Sequence, residues 1–121
     1  MNYKKVPLCL NGEIRKGNRY KFDFGLPNSD SLFQIDFIDS DLKITYTKSK
    51  LIVSKDQEHL VEVSLDEGMT SAVYLDVFDD YMVLNHSAGH TILPILEDTN
   101  EISLNLVKAF LKGYQQTKIF S

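Results

Sequence analysis

Leu32-Phe33-Gln34-Ile35-Asp36-Phe37-Ile38-Asp39-Ser40-Asp41-Leu42-Lys43-Ile44-Thr45-Tyr46 is the stretch that decides the fold class of this 121-residue chain. Phe33, Ile35 and Phe37 alternate with polar residues, Leu42, Ile44 and Tyr46 do so again, and Asp39-Ser40-Asp41 between them is turn material. Successive side chains of a strand point to opposite faces, so the stretch reads as two half-buried strands joined by a short turn. The same period extends in both directions. Upstream, Tyr20, Phe22, Phe24 and Leu26 alternate with charged or small residues, and a further short strand is expected over 6–10. Downstream, segments 51–53, 60–65, 72–78, 82–84 and 91–96 are rich in β-branched and aromatic side chains. Leu26-Pro27-Asn28-Ser29-Asp30, Asp66-Glu67-Gly68 and Asp79-Asp80 separate them with residues that turn the chain locally. About eight strands follow from this patterning, and without intervening helices they favour an all-β, two-layer antiparallel sandwich over a parallel α/β sheet.

The period changes near the C-terminus. From Ile102, apolar side chains at Leu104, Val107 and Leu111, with Leu106 and Phe110 beside them, fall at helical spacing. A helix is therefore predicted over 99–113, with Asp98 and Glu101 three apart as a capping box and Gly113 ending it. With one core's worth of residues, no internal repeat and no linker composition, residues 1–121 read as one domain.

Composition narrows the function classes. The hydrophobic fraction is 43%, with seven Phe and six Tyr, enough apolar area for a packed core. Cys9 is the single cysteine, which rules out an internal disulfide and is most economical in a reducing cytoplasm, so a buried thiol in a cytoplasmic protein is expected. The apolar run at 6–10 is shorter than a signal peptide needs. A net charge of −4 argues against nucleic acid as a partner. Between Lys55 and Lys108 there are 11 acidic residues and no Lys or Arg, a stretch that presents either ordinary solvated turns or an anionic surface for a basic protein.

No catalytic constellation is legible. His86 and His90 are four apart and His59 could approach them, but Ser87-Ala88-Gly89 reads as a turn, where a spacing of four gives no shared face; exposed loop histidines are the ordinary reading, and no metal is expected. The acidic pairs Asp66-Glu67, Asp79-Asp80 and Glu97-Asp98 are adjacent rather than convergent, which does not suit a pair of catalytic carboxylates. No phosphate loop or nucleophile elbow occurs, and no cofactor is implied. Tyr3, Tyr20, Tyr46, Tyr74, Tyr81 and Tyr114 could stack on sugars, although the absence of Trp removes the strongest stacking platform, and a core-rim position is the plainer reading.

Residues 72–85, followed by Gly89 and Thr91, carry a family resemblance. Asp76 ends one strand, Asn85 lies nine residues on, and Gly89 and Thr91 follow in a turn and the next strand. This order resembles the C-terminal β-sandwich of invertase-like glycoside hydrolases, the β-fructofuranosidases and sucrose-6-phosphate hydrolases. Ile44-Thr45-Tyr46 and Leu51-Ile52-Val53-Ser54-Lys55 resemble the hairpin before it. Phe78 and Tyr81 stand where that family usually has a serine and a glutamate, and the propeller motifs carrying its catalysis are absent from the sequence. The resemblance thus implies a non-catalytic accessory domain in carbohydrate metabolism, packing against a catalytic β-propeller domain or another copy of itself. Asp76, Asn85, Gly89 and Thr91 would be structural positions. A second expectation, from the acidic stretch, is a small immunity protein that covers the basic site of a toxin.

Overall fold

The computed structural model describes residues 6–9, 14–38, 40–65, 72–86, 89–94 and 99–119, with the side chains of 6–9, 94, 99 and 100 outside that description. Thirteen strands occur among these described residues: β1 (Val6–Cys9), β2 (Ile14–Arg15), β3 (Asn18–Gly25), β4 (Leu32–Phe37), β5 (Leu42–Tyr46), β6 (Lys50–Lys55), β7 (Glu58–Ser64), β8 (Ala72–Val77), β9 (Tyr81–His86), β10 (Gly89–Pro94), β11 (Thr99–Asn100), β12 (Ile102–Val107) and β13 (Phe110–Lys118). They form a six-stranded sheet ordered β1-β12-β4-β5-β6-β7, a five-stranded sheet ordered β10-β9-β8-β3-β13, and a short β11-β2 pair. Every pairing is antiparallel.

The alternation that defines the strands also builds the core. Phe33, Ile35, Phe37, Leu42, Ile44, Tyr46, Leu51, Val53, Ile102, Leu104 and Leu106 are buried on the inner face of the six-stranded sheet. Tyr20, Phe22, Phe24, Val73, Leu75, Val77, Met82, Leu84 and Leu93 answer them from the five-stranded sheet. The two layers interlock through rings: Phe24 stacks on Phe33 at 4.3 Å between centroids and meets Tyr46 edge-on at 5.0 Å. Each fully buried side chain of this size contributes about 1.5–3 kcal/mol, so this double layer holds the sandwich together.

The two-layer sandwich agrees with the sequence reading, but its C-terminal part does not. Segment 99–113, expected as a helix, contains β11, β12 and the start of β13, and the described residues include no helix. Ile102, Leu104 and Leu106 are buried while Ser103, Asn105 and Val107 face outward, a period of two hidden within a leucine-rich run that also fits a helix. Tertiary pairing decides between them. As a strand, β12 bonds to β1 on one side and β4 on the other, which satisfies its backbone along both edges. Lys108, at φ 48°, reverses the chain into β13. Gly113 ends no helix; it follows the bulge in the β13–β3 ladder. Asp98 of the expected capping box lies outside the described residues, as does the side chain of Cys9.

Candidate functional site

The outward face of β12, β4, β5, β6 and β7 carries a largely polar surface on paired strands. Register places Asn105 of β12 opposite Gln34 of β4, Gln34 opposite Thr45 of β5, Thr45 opposite Ile52 of β6, and Ile52 opposite Glu62 of β7. The first three are joined side chain to side chain. Asn105 Nδ2 donates to Gln34 Oε1 at 3.1 Å, and Gln34 Nε2 donates to Thr45 Oγ1 at 2.9 Å. Next to this row runs a second: Ser103, Asp36, Lys43, Ser54 and His59. Lys50 of β6 approaches Glu62 at 3.6 Å, an exposed pair worth little in stability. A bulge after Val53 sets Leu60, 49% exposed, beside these rows.

The arrangement offers amide, hydroxyl, carboxylate and ammonium groups at strand spacing, with donors and acceptors mixed. The ladder fixes the rotamers of Gln34 and Asn105 while leaving the Thr45 hydroxyl hydrogen and the Asn105 carbonyl for a visitor. Such a surface suits a neutral, hydroxyl-rich ligand, whose groups both donate and accept. Nothing in the sequence alone marked these residues as a set, because they join three strands from both ends of the chain; only the strict polar alternation in 32–46 hinted at a polar face.

The positions singled out from the sequence lie on the other sheet. Asp76, only 5% exposed, accepts from Arg19 Nε at 2.6 Å and Nη2 at 2.9 Å, and from Asn85 Nδ2 at 3.0 Å. This two-pronged grip links β3, β8 and β9, and the Asp76 hydrogen bond holds the Arg19 guanidinium above its usual pKa. Arg19 also lies over the Tyr74 ring at 5.5 Å, with Lys21 at 5.6 Å. Gly89 takes a φ of 130°, and Thr91, buried, shares a 3.1 Å hydrogen bond with His86 Nε2. Asp76 and Asn85 are thus brought together, with Arg19, which the sequence did not single out; Gly89 and Thr91 lie on β10 opposite His86 and Leu84 of β9.

The histidines do not converge. His59 belongs to the six-stranded sheet, whereas His86 and His90 lie in β9 and β10 of the other, in strands rather than loops. Their positions alternate between its two faces, and no group of three metal-ligating residues occurs among the described residues. His86 is held below the usual histidine pKa, first by burial and then by the charge of His90. Of the tyrosines, Tyr20 and Tyr46 are buried, Tyr114 packs on Tyr20 and Phe22 against the core, and Tyr81 is exposed. Tyr3 lies outside the described residues.

Solved structures match this fold along nearly its whole length. Galectin-Ib of Xenopus laevis aligns with a TM-score of 0.65 over 93% of this chain and 99% of its own, at 13% identity. The sandwich is similar to that of the galectins. Toad ovary galectin, solved in complex with thio-digalactose, aligns with a TM-score of 0.62 at 11% identity over 95% of this chain and 99% of its own. CG-16, a homodimeric agglutinin from chicken liver, aligns at 0.65 and 9% identity over 94% of this chain and 100% of its own. No protein-family model matches the sequence, and no curated protein matches it.

This galectin-like architecture corrects the kinship with invertase-like hydrolases and the accessory role drawn from it. The features that suggested that kinship are strand alternation and a few polar hairpin positions, which antiparallel sandwiches of unrelated function share. The immunity-protein expectation fails as well. Among the described residues its acidic side chains do not form one face: Glu58 and Glu62 lie on β7, Asp79 and Asp80 in the β8–β9 turn, and Asp76 is buried in its pair with Arg19.

Proposed function

We propose that this chain is a non-catalytic carbohydrate-binding domain that holds a neutral saccharide on the outward face of β12, β4, β5, β6 and β7. The observation that carries the reading is the Asn105–Gln34–Thr45 ladder, a preorganised row of amide and hydroxyl groups on a sheet. The galectin-like fold supports it, since the toad relative of the same architecture was solved with thio-digalactose. Ile52, half-buried within the row, and Leu60 beside it supply apolar contact for the C–H face of a sugar ring. No Tyr or Phe faces outward among the described residues of β4–β7, so stacking on an aromatic ring plays no part and affinity is modest.

A heteronuclear NMR titration of the labelled chain with thio-digalactose and a panel of neutral disaccharides tests this. Amide shifts clustered in β12 and β4–β7 are expected. Gln34→Leu, which breaks the ladder at its centre, should weaken binding by about tenfold, the loss of about 1.4 kcal/mol expected for one or two hydrogen bonds. Shifts confined to the five-stranded sheet, or none at millimolar sugar, would count against the reading.

A further inference from the structure

The sandwich has four edge strands among its described residues: β1 and β7 in one sheet, β10 and β13 in the other. An edge strand exposes unpaired N–H and C=O groups, and proteins blunt it with charge, proline or a bulge. Three edges show such devices. β1 contains Pro7, β7 carries Glu58 and Glu62 and a bulge in its ladder with β6, and β13 carries Lys112 and Lys118 and its own bulge. β10, Gly89-His90-Thr91-Ile92-Leu93-Pro94, has no Asp, Glu, Lys or Arg, its ladder with β9 is regular, and its proline is the last residue. Ile92, in mid-strand, is 71% exposed. Val83 lies directly beside it on β9, and Tyr81, 42% exposed, is next but one along that strand.

We propose that β10 is a self-association edge, pairing antiparallel with β10 of a second copy of this chain about a two-fold axis beside Ile92. The occupant of an open strand edge is a strand, and this one fits itself. Centred on Ile92, the pairing sets Ile92 against its own mate and Thr91 against the mate's Leu93, so outward residues meet outward and inward meet inward. An axis lying between two residues would set an inward side chain against an outward one. Charge selects the same edge. Each copy carries a net charge of −4 and repels the other, so the edges bearing Glu58 and Glu62 or Lys112 and Lys118 set like charges together, whereas β10 brings none. One strand pair is a small interface, which makes the dimer weak and dependent on concentration. The pair would join the two five-stranded sheets into one ten-stranded sheet and leave the polar faces of both six-stranded sheets free.

Sedimentation velocity of the full chain over a concentration series tests this, independently of any sugar. The wild-type chain is expected to pass from monomer to dimer as concentration rises. Ile92→Lys should stay monomeric with an unchanged far-UV circular dichroism spectrum, and Lys112→Ala, on the far edge of the same sheet, should dimerise as wild type does. His90→Glu, also exposed on β10, should abolish the dimer too and decides the matter if Ile92→Lys misfolds. A wild-type chain that stays monomeric throughout, or a dimer that survives both β10 variants, overturns the proposal.

Discussion

Gly25 lies under an aromatic ring. A Cβ built there would come within 2.2 Å of Phe110, whose ring covers that glycine from the neighbouring strand β13. Gly25→Ala must therefore push Phe110 aside, and overpacking of this kind costs about 1–3 kcal/mol. Urea denaturation measures the loss, and Phe110→Ala in the same chain should remove most of the additional penalty; a simple sum of the two single effects would contradict the contact. Asp76 is the other residue with a sharp outcome. Asp76→Ala strands Arg19 and removes three hydrogen bonds from a buried carboxylate, and because Arg19 is half exposed the loss is about 1–3 kcal/mol rather than the full cost of a buried pair. Arg19→Lys should recover little of it, since an ammonium cannot make the two-pronged contact.

His86 gives the pH dependence at this scale. Its folded pKa lies below the ordinary histidine value, so the fold prefers the neutral ring. The stability this preference contributes is complete above the unfolded value, about 6.5, and is lost as pH falls through the lower folded value. Thermal melts between neutral and mildly acidic pH should show Tm falling on the acid side, and His86→Gln should flatten that fall. An unchanged slope in the variant would assign the effect to other groups.

At the scale of the element, β12 is the instructive case. Helical spacing groups Leu104, Val107 and Leu111 on one core face, whereas the strand buries Leu104 and leaves Val107 half exposed on the outward side. Leu104→Ala should therefore cost about 2–5 kcal/mol and Val107→Ala less than about 1 kcal/mol. Equal losses measured by chemical denaturation would restore the helix. The β12–β13 turn is held from outside: the Ser31 hydroxyl accepts from Asn28 N–H at 2.9 Å and donates to the Lys108 carbonyl, and Lys108 pairs with Asp30. A residue in the β3–β4 loop thus fixes a turn 77 positions away in sequence, which no local reading of either segment contains.

For the whole molecule, pairing between distant segments dominates. β12 inserts between β1 and β4, and β13 closes the five-stranded sheet against β3, so both ends of the chain must return before either sheet is finished. Non-local pairing of this kind folds slowly, and stopped-flow refolding should fall in the range of about milliseconds to seconds. Relaxation in microseconds would be incompatible with this topology.

The sequence carried the period-two strands, their inward residues and the two-layer class on its own, because alternation is a property of neighbours and survives in any antiparallel sheet. It marked Asp76 and Asn85 as a pair worth noticing, without the Arg19 that grips one of them from 57 positions away. That 102–107 is a strand follows from tertiary pairing, since a leucine-rich run fits either period until two partner strands offer hydrogen bonds along both of its sides. Tertiary pairing alone assembled Asn105, Gln34 and Thr45 into one surface. Which strands become neighbours depends on burying both sheets against each other, and that free energy belongs to the closed sandwich rather than to any segment of the chain.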